Sequence, residues 1–101
     1  MSVNLDTAFK AMAHSVRRDI LDWLKNPDIC FPDQKHGREL GVSAGQIDER
    51  AGLAQSTVSA HLSILQRAGL ISCRKSGACH SFKRDEKAIQ AFVQLMSDKL
   101  L

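Results

Sequence analysis

Apolar residues recur along most of the chain at helical spacing, and the places where that period fails divide it into segments. Leu5, Ala8, Phe9 and Met12 fall at steps of three and four, one face of a short first helix. Val16, Ile20, Leu21 and Leu24 repeat the pattern up to Asn26-Pro27, where the proline disfavours helix at the residue before it and ends a second helix. Residues 27–42 (PDICFPDQKHGRELGV) hold both prolines, two glycines and no sustained period, and read as a long loop. Loops of that length are functional or disordered as a rule, although a neutral insertion is an equally simple account.

Order returns at Ser43. Ser43 and Gln46 have the spacing of a capping box, and Val42 and Ile47 that of a hydrophobic staple. The helix they open is short, with Ile47 and Ala51 inward and Gly52 where a left-handed terminal residue is needed. Val58, Leu62 and Leu65 then form the stripe of a further helix that stops before Gly69. Two helices joined by a turn of about three residues containing glycine make a helix-turn-helix, here over 44–68. LISCRK-SG-ACHSFK predicts a β-hairpin over 71–83 with Ser76-Gly77 as its turn. Asp85 is a candidate N-cap for a last helix carrying Ile89, Phe92, Val93, Met96 and Leu100. The fold class expected is mainly α with a small β-hairpin (α+β), a winged helix-turn-helix of order α-α-α-α-β-β-α in a single domain over 1–101.

Composition narrows this further. A chain of 101 residues, 44% hydrophobic, suits one small domain that buries about two thirds of its unfolded surface, so a partner that covers more is in keeping with its size. It has no apolar run of about 18 residues, and MSVNLDTAFK lacks the basic-then-apolar order of a secretory signal; a cytoplasmic protein with no membrane partner is expected. Three cysteines are too few and oddly numbered for a disulfide scaffold. The net charge of +3 hides an asymmetry: from Arg50 to Arg84 there are six basic residues and no Asp or Glu, while the remainder sums to −3. Such a segment is the footprint of a polyanion partner or a solvated basic face.

On a helical wheel, Val58, Leu62 and Leu65 bury one side of the second helix of the pair, leaving Gln55, Ser56, Thr57, Ser59, His61, Ser63 and Arg67 on the rest. This surface of short polar side chains without acids can enter a major groove, and its first turn can offer N–H groups to phosphate. Arg74 and Lys75, near the hairpin tip, are candidates for phosphate or the adjacent minor groove. Lys83 and Arg84 at the hairpin base are expected to be solvated. Glycine-rich phosphate loops, paired carboxylates and nucleophile motifs are absent, so an enzyme is not expected. A winged helix used only for protein contact is the alternative reading; it would need an apolar recognition surface.

AGLAQSTVSAHLSILQRAGLI, followed by a basic hairpin and a final helix, resembles the winged helix-turn-helix of the ArsR/SmtB repressors, and FKAMAHSVRRDILDWL resembles that family's opening helices. The resemblance implies a homodimeric repressor on double-stranded DNA, a pseudo-palindromic operator, and release by an inducer whose identity is unknown. Three positions depart from the family pattern. Ala54 replaces a common Ser N-cap, a loss of about 1 kcal/mol; Asp48 stands at a site usually filled by a small residue, and His14 at one usually filled by Asp. The family's Cys-x-Cys metal positions are here Ser43 and Gly45, and the last helix has no His or Cys, so neither family metal site is present and no cofactor is expected.

The cysteines keep several readings. With Ser76-Gly77 as the turn, Cys73 faces His80 and Cys79 faces Arg74; a register shifted by one pairs Cys73 with Cys79. These arrangements give a metal-binding edge, a thiol of lowered pKa, or an oxidisable dithiol, while Cys30 in the loop is a third possible sensing thiol. All three as inert small residues is the plainest case. Leu5, Phe9 and Met12 on the first helix, with Phe92, Val93, Met96 and Leu100 on the last, exceed what a small core covers and are the expected dimer interface. Dimerisation would set two recognition helices about 34 Å apart.

Overall fold

The computed structural model describes residues 4–32 and 41–101, Ser76 and Cys79 by backbone alone. Asn4 opens α1 (Leu5–Met12) by accepting the Thr7 N–H at 3.0 Å. His14 does the same for α2 (Ser15–Lys25), its Nδ1 accepting the Val16 N–H at 3.1 Å. Two arginines of α2 donate to carbonyls of the last turn of α1. Arg17 Nε donates to Ala11 O at 2.7 Å, its Nη2 to Lys10 O at 3.0 Å, and Arg18 Nη1 to Met12 O at 2.6 Å.

The expected loop of 27–42 is corrected at both ends. It begins with one helical turn, α3 (Pro27–Cys30), because a proline at the first helical position has its φ preset and lacks an N–H that would go unpaired there. It ends in β1 (Val42–Ser43), a strand of two residues. Residues 33–40 between them lie outside the described residues.

Ser43 then starts α4 (Ala44–Ala51) with the full capping box: Ser43 Oγ accepts the Gln46 N–H at 3.3 Å, and Gln46 Oε1 accepts the Ser43 N–H at 3.4 Å. The staple residues Val42 and Ile47 are both buried in the core. Gly52 ends the helix in the left-handed conformation, φ +65°. After it comes α5 (Gln55–Arg67), then β2 (Ile71–Ser76), β3 (Cys79–Arg84) and α6 (Glu86–Leu100), the last capped by Asp85 accepting the Ala88 N–H at 3.0 Å.

The sheet is antiparallel with order β1-β3-β2, so the strand latest in sequence lies in the middle. Val42 pairs with Phe82 and Ser43 with Ser81 on one side, and Ile71 through Ser76 pair with Arg84 through Cys79 on the other. Gly41 leads into this sheet with φ +88°, where a Cβ would collide with the Phe82 carbonyl. Only glycine lets the chain pass that close to β3. Ile20, Ile47, Leu65, Leu70, Val42 and Val58 are the largest fully buried side chains, each contributing about 1.5–3 kcal/mol of burial. They come from α2, α4, α5, β1 and the turn before β2, and so fix the helix-turn-helix against the sheet and α2.

Candidate nucleic-acid interface

Helix α5 presents the surface expected of it. Val58, Leu62 and Leu65 are buried, while Gln55, Ser56, Thr57, Ser59, Ser63 and Arg67 are exposed. Ala54 occupies the N-cap with no side-chain hydrogen bond, so the first-turn N–H groups of α5 have no cap like that of α4. His61 behaves differently from its neighbours on the helix. It is half-buried, its Nδ1 lies 3.2 Å from Arg17 Nη1, and its ring centroid lies 4.5 Å from that of His14. Burial first, then His14 and Arg17, hold its pKa below the ordinary 6.5. The neutral ring can accept from the guanidinium, and one arginine thereby joins the end of α1 to α5. Arg17 is the residue that sequence reasoning missed; 44 positions separate it from His61, and the only local signal was a pair of arginines just after a helix end.

In the hairpin, Arg74 and Lys75 are both exposed. Its turn is Gly77-Ala78, closed by the pair Ser76 and Cys79, and not Ser76-Gly77. Gly77 has φ +61° and no described non-glycine residue has positive φ, the sign pattern of a type II′ turn with glycine first. Both expected registers are thereby corrected: Cys73 stands opposite Phe82, His80 opposite Lys75, Arg74 opposite Ser81 and Cys79 opposite Ser76. Cys73 and His80 still meet, as diagonal neighbours on one face, with Sγ 3.5 Å from Nδ1. Cys30 is half-buried at the end of α3, and the Cys79 side chain lies outside the described residues. No group of three or more His, Cys, Asp or Glu side chains suited to a metal comes together among the described residues.

The basic segment is less uniform than its charge suggests. Arg50 lies over the Trp23 ring at 5.4 Å and donates to Cys30 O at 3.1 Å. Arg84, expected to be solvated, is only 12% exposed: it grips Glu86 with two hydrogen bonds of 2.9 and 3.1 Å and donates to Leu21 O at 3.2 Å, tying the hairpin base to α2 and α6. Among the exposed cations of this segment, Arg67 lies on α5, Arg74 and Lys75 on the outer half of the hairpin, and Lys83 near its base.

On α1 and α6, Phe9 is 44% exposed, Val93 52% and Leu100 74%. Leu5, Met12 and Met96 are half-buried. Phe92, expected among the dimer residues, is buried within the chain, edge-on to Phe9 with centroids 5.4 Å apart.

A family model for the helix-turn-helix domain matches residues 12–74. An uncharacterized HTH-type transcriptional regulator of Bacillus subtilis, YbzH, is 37% identical over 94 residues, covering 91% of this chain and 94% of its own. The chain belongs to the helix-turn-helix transcriptional regulators, and its structural neighbours are ArsR-family winged-helix regulators. The transcriptional repressor SdpR of Bacillus subtilis is 28% identical to this regulator over 92 residues, 91% of this chain and 88% of the other. The solution structure of a homodimeric winged helix-turn-helix DNA-binding domain from Mycobacterium bovis, a possible ArsR-family regulator, superposes with a TM-score of 0.65 at 25% identity, over 93% of this chain and 78% of that one. In this regulator the departure at His14 keeps its role, since an imidazole nitrogen caps α2 as a carboxylate would. Asp48 is half-buried, and burial raises its pKa above the ordinary carboxylate value.

Proposed function

We propose that this regulator is a homodimeric repressor that reads a pseudo-palindromic operator with α5 in the major groove and the hairpin along the flanking backbone. The observation that carries this is the outer face of α5: Gln55, Ser56, Thr57, Ser59 and Ser63 are exposed, short and uncharged, and no acid lies on the helix or the hairpin beside it. Phosphates meet no carboxylate from α5 or the hairpin, and base edges meet donors and acceptors. Repression is supported by the likeness to SdpR, and dimerisation by the homodimeric domain of Mycobacterium bovis together with exposed Phe9, Val93 and Leu100. A two-fold axis through α1 and α6 would cover those side chains and set the two recognition helices about one DNA turn apart. An inducer that favours the unbound state would complete the switch.

Duplex binding to fragments of its own promoter, against random duplex across a salt series, tests the reading. Arg74→Ala with Lys75→Ala should weaken both duplexes and lower the salt slope by about two. Ser56→Ala should change the preference between them. Equal effects of the two variants on promoter and random duplex, or a monomer in sedimentation at micromolar concentration, would overturn it.

A further inference from the structure

Between α5 and the hairpin lies a cleft of about 290 Å³ that shares part of the outer face of α5 with the DNA-reading role proposed above. Gln55, Ser59 and Ser63, recurring every four residues, line it along α5; Cys73 and His80 line it from the hairpin, and Asp48 from α4. Leu62 and Phe82, both buried, form its apolar base. The volume is that of about ten waters. Cys73 is half-buried and its Sγ lies within hydrogen-bond distance of His80 Nδ1, so a nucleophile and a base open together into a small, mostly neutral space.

The lining discriminates among ligand classes. A borderline metal ion needs more donors than the two that meet here, and no set of three exists among the described residues. An anion would approach the Asp48 carboxyl. A neutral molecule with a polarised double bond needs one nucleophile, one base and donors for its oxygen, and the Gln55 amide and the Ser59 and Ser63 hydroxyls supply the last. We propose that the cleft is an effector site for small neutral α,β-unsaturated carbonyl compounds, which alkylate Cys73. The Cys73 thiol proton passes to His80 Nδ1 and the sulfur bonds to the β-carbon. The carbon–carbon π pair shifts to the bond between the α-carbon and the carbonyl carbon, the carbonyl π pair moves onto oxygen, and the α-carbon of this enolate then takes the proton held by His80, which restores the carbonyl. No oxidant or reductant is required. The adduct lies against Gln55, Ser59 and Ser63, so an occupied cleft and a docked duplex compete for one side of α5; this coupling rests on the function proposed above.

The test treats the whole protein with methyl vinyl ketone and maps adducts by peptide mass. Cys73 should be modified at least about tenfold faster than Cys30, and His80→Gln should slow Cys73 by about tenfold or more with no change at Cys30. Modified protein should lose promoter binding, while Cys73→Ser should bind before and after treatment. Adducts confined to Cys30 or Cys79, an unchanged Cys73 rate in His80→Gln, or full duplex affinity with Cys73 modified would each overturn the proposal. Selective Cys73 modification in a protein that binds no duplex even untreated would uphold the site and overturn the DNA-binding reading instead.

Discussion

The two helices of the helix-turn-helix begin in opposite ways. Helix α4 opens with a reciprocal cap, a buried staple and a strand that anchors the chain just ahead of it. Helix α5 opens on Ala54, exposed and without a side-chain cap. The first helix is therefore fixed by its own terminus, while the second is held from its flanks by Val58, Leu62 and Leu65 and by the Arg17 to His61 contact. The difference lies in how the two termini are held: α4 has a reciprocal side-chain cap where its position is set, and α5 has no side-chain cap where it faces outward.

This comparison can be broken on the scaffold side most severely. Gly41→Ala should destabilise the protein by about 2–4 kcal/mol in denaturant unfolding, because a Cβ at φ +88° would collide with the Phe82 carbonyl and unseat β1. A loss below about 1 kcal/mol would mean that β1 is not the anchor of α4. Ser43→Ala should cost about 1–2 kcal/mol, since it removes the acceptor for Gln46 and loosens the reciprocal bond. The reverse change belongs to the other helix. Ala54→Ser, at φ −61° and ψ 145°, should add about 1 kcal/mol by capping α5, and no gain would show that another group already satisfies that turn.

The smallest effect concerns protons. His61 has a depressed pKa in the folded state, so the unfolded chain binds its proton more readily. Stability is complete above the ordinary value of 6.5 and declines as pH falls from there through the lowered folded value. Denaturant midpoints from pH 8 to pH 5 should fall more steeply for the wild type than for His61→Gln. Parallel curves would show that His61, with His14 and Arg17 around it, does not couple protonation to the seat of α5.

How much of this was legible in the sequence follows the range of the interactions. The capping box, the staple, Gly52 and the α5 stripe are encoded within four residues or so, and each stands where its spacing places it. The hairpin existed in the pattern, but its register did not: Ser72, Cys73, Arg74 and Lys75 carry no alternation strong enough to choose between Ser76-Gly77 and Gly77-Ala78 as the turn. β1 is two residues long, too short to show a period. Arg84 is expected from sequence to be solvated because its partner Leu21 is distant in the chain, and Arg17 draws no reading because His61 lies 44 positions away. The cleft containing Cys73 and His80 depends on the register and on the packing of α5 over the hairpin, and neither is a local property.

The central place of β3 bears on how the chain comes to be folded. Val42 pairs with Phe82, so the sheet closes a loop that contains the whole helix-turn-helix. During synthesis both helices leave the ribosome before the strand that pairs with β1 has been made. Closing so long a loop is entropically slow, and it is rewarded only when β3 arrives. A nascent chain truncated before Cys79 holds a capped α4 with nothing to pair its preceding strand, which makes the final fifth of the chain the part that commits the first four to their native arrangement.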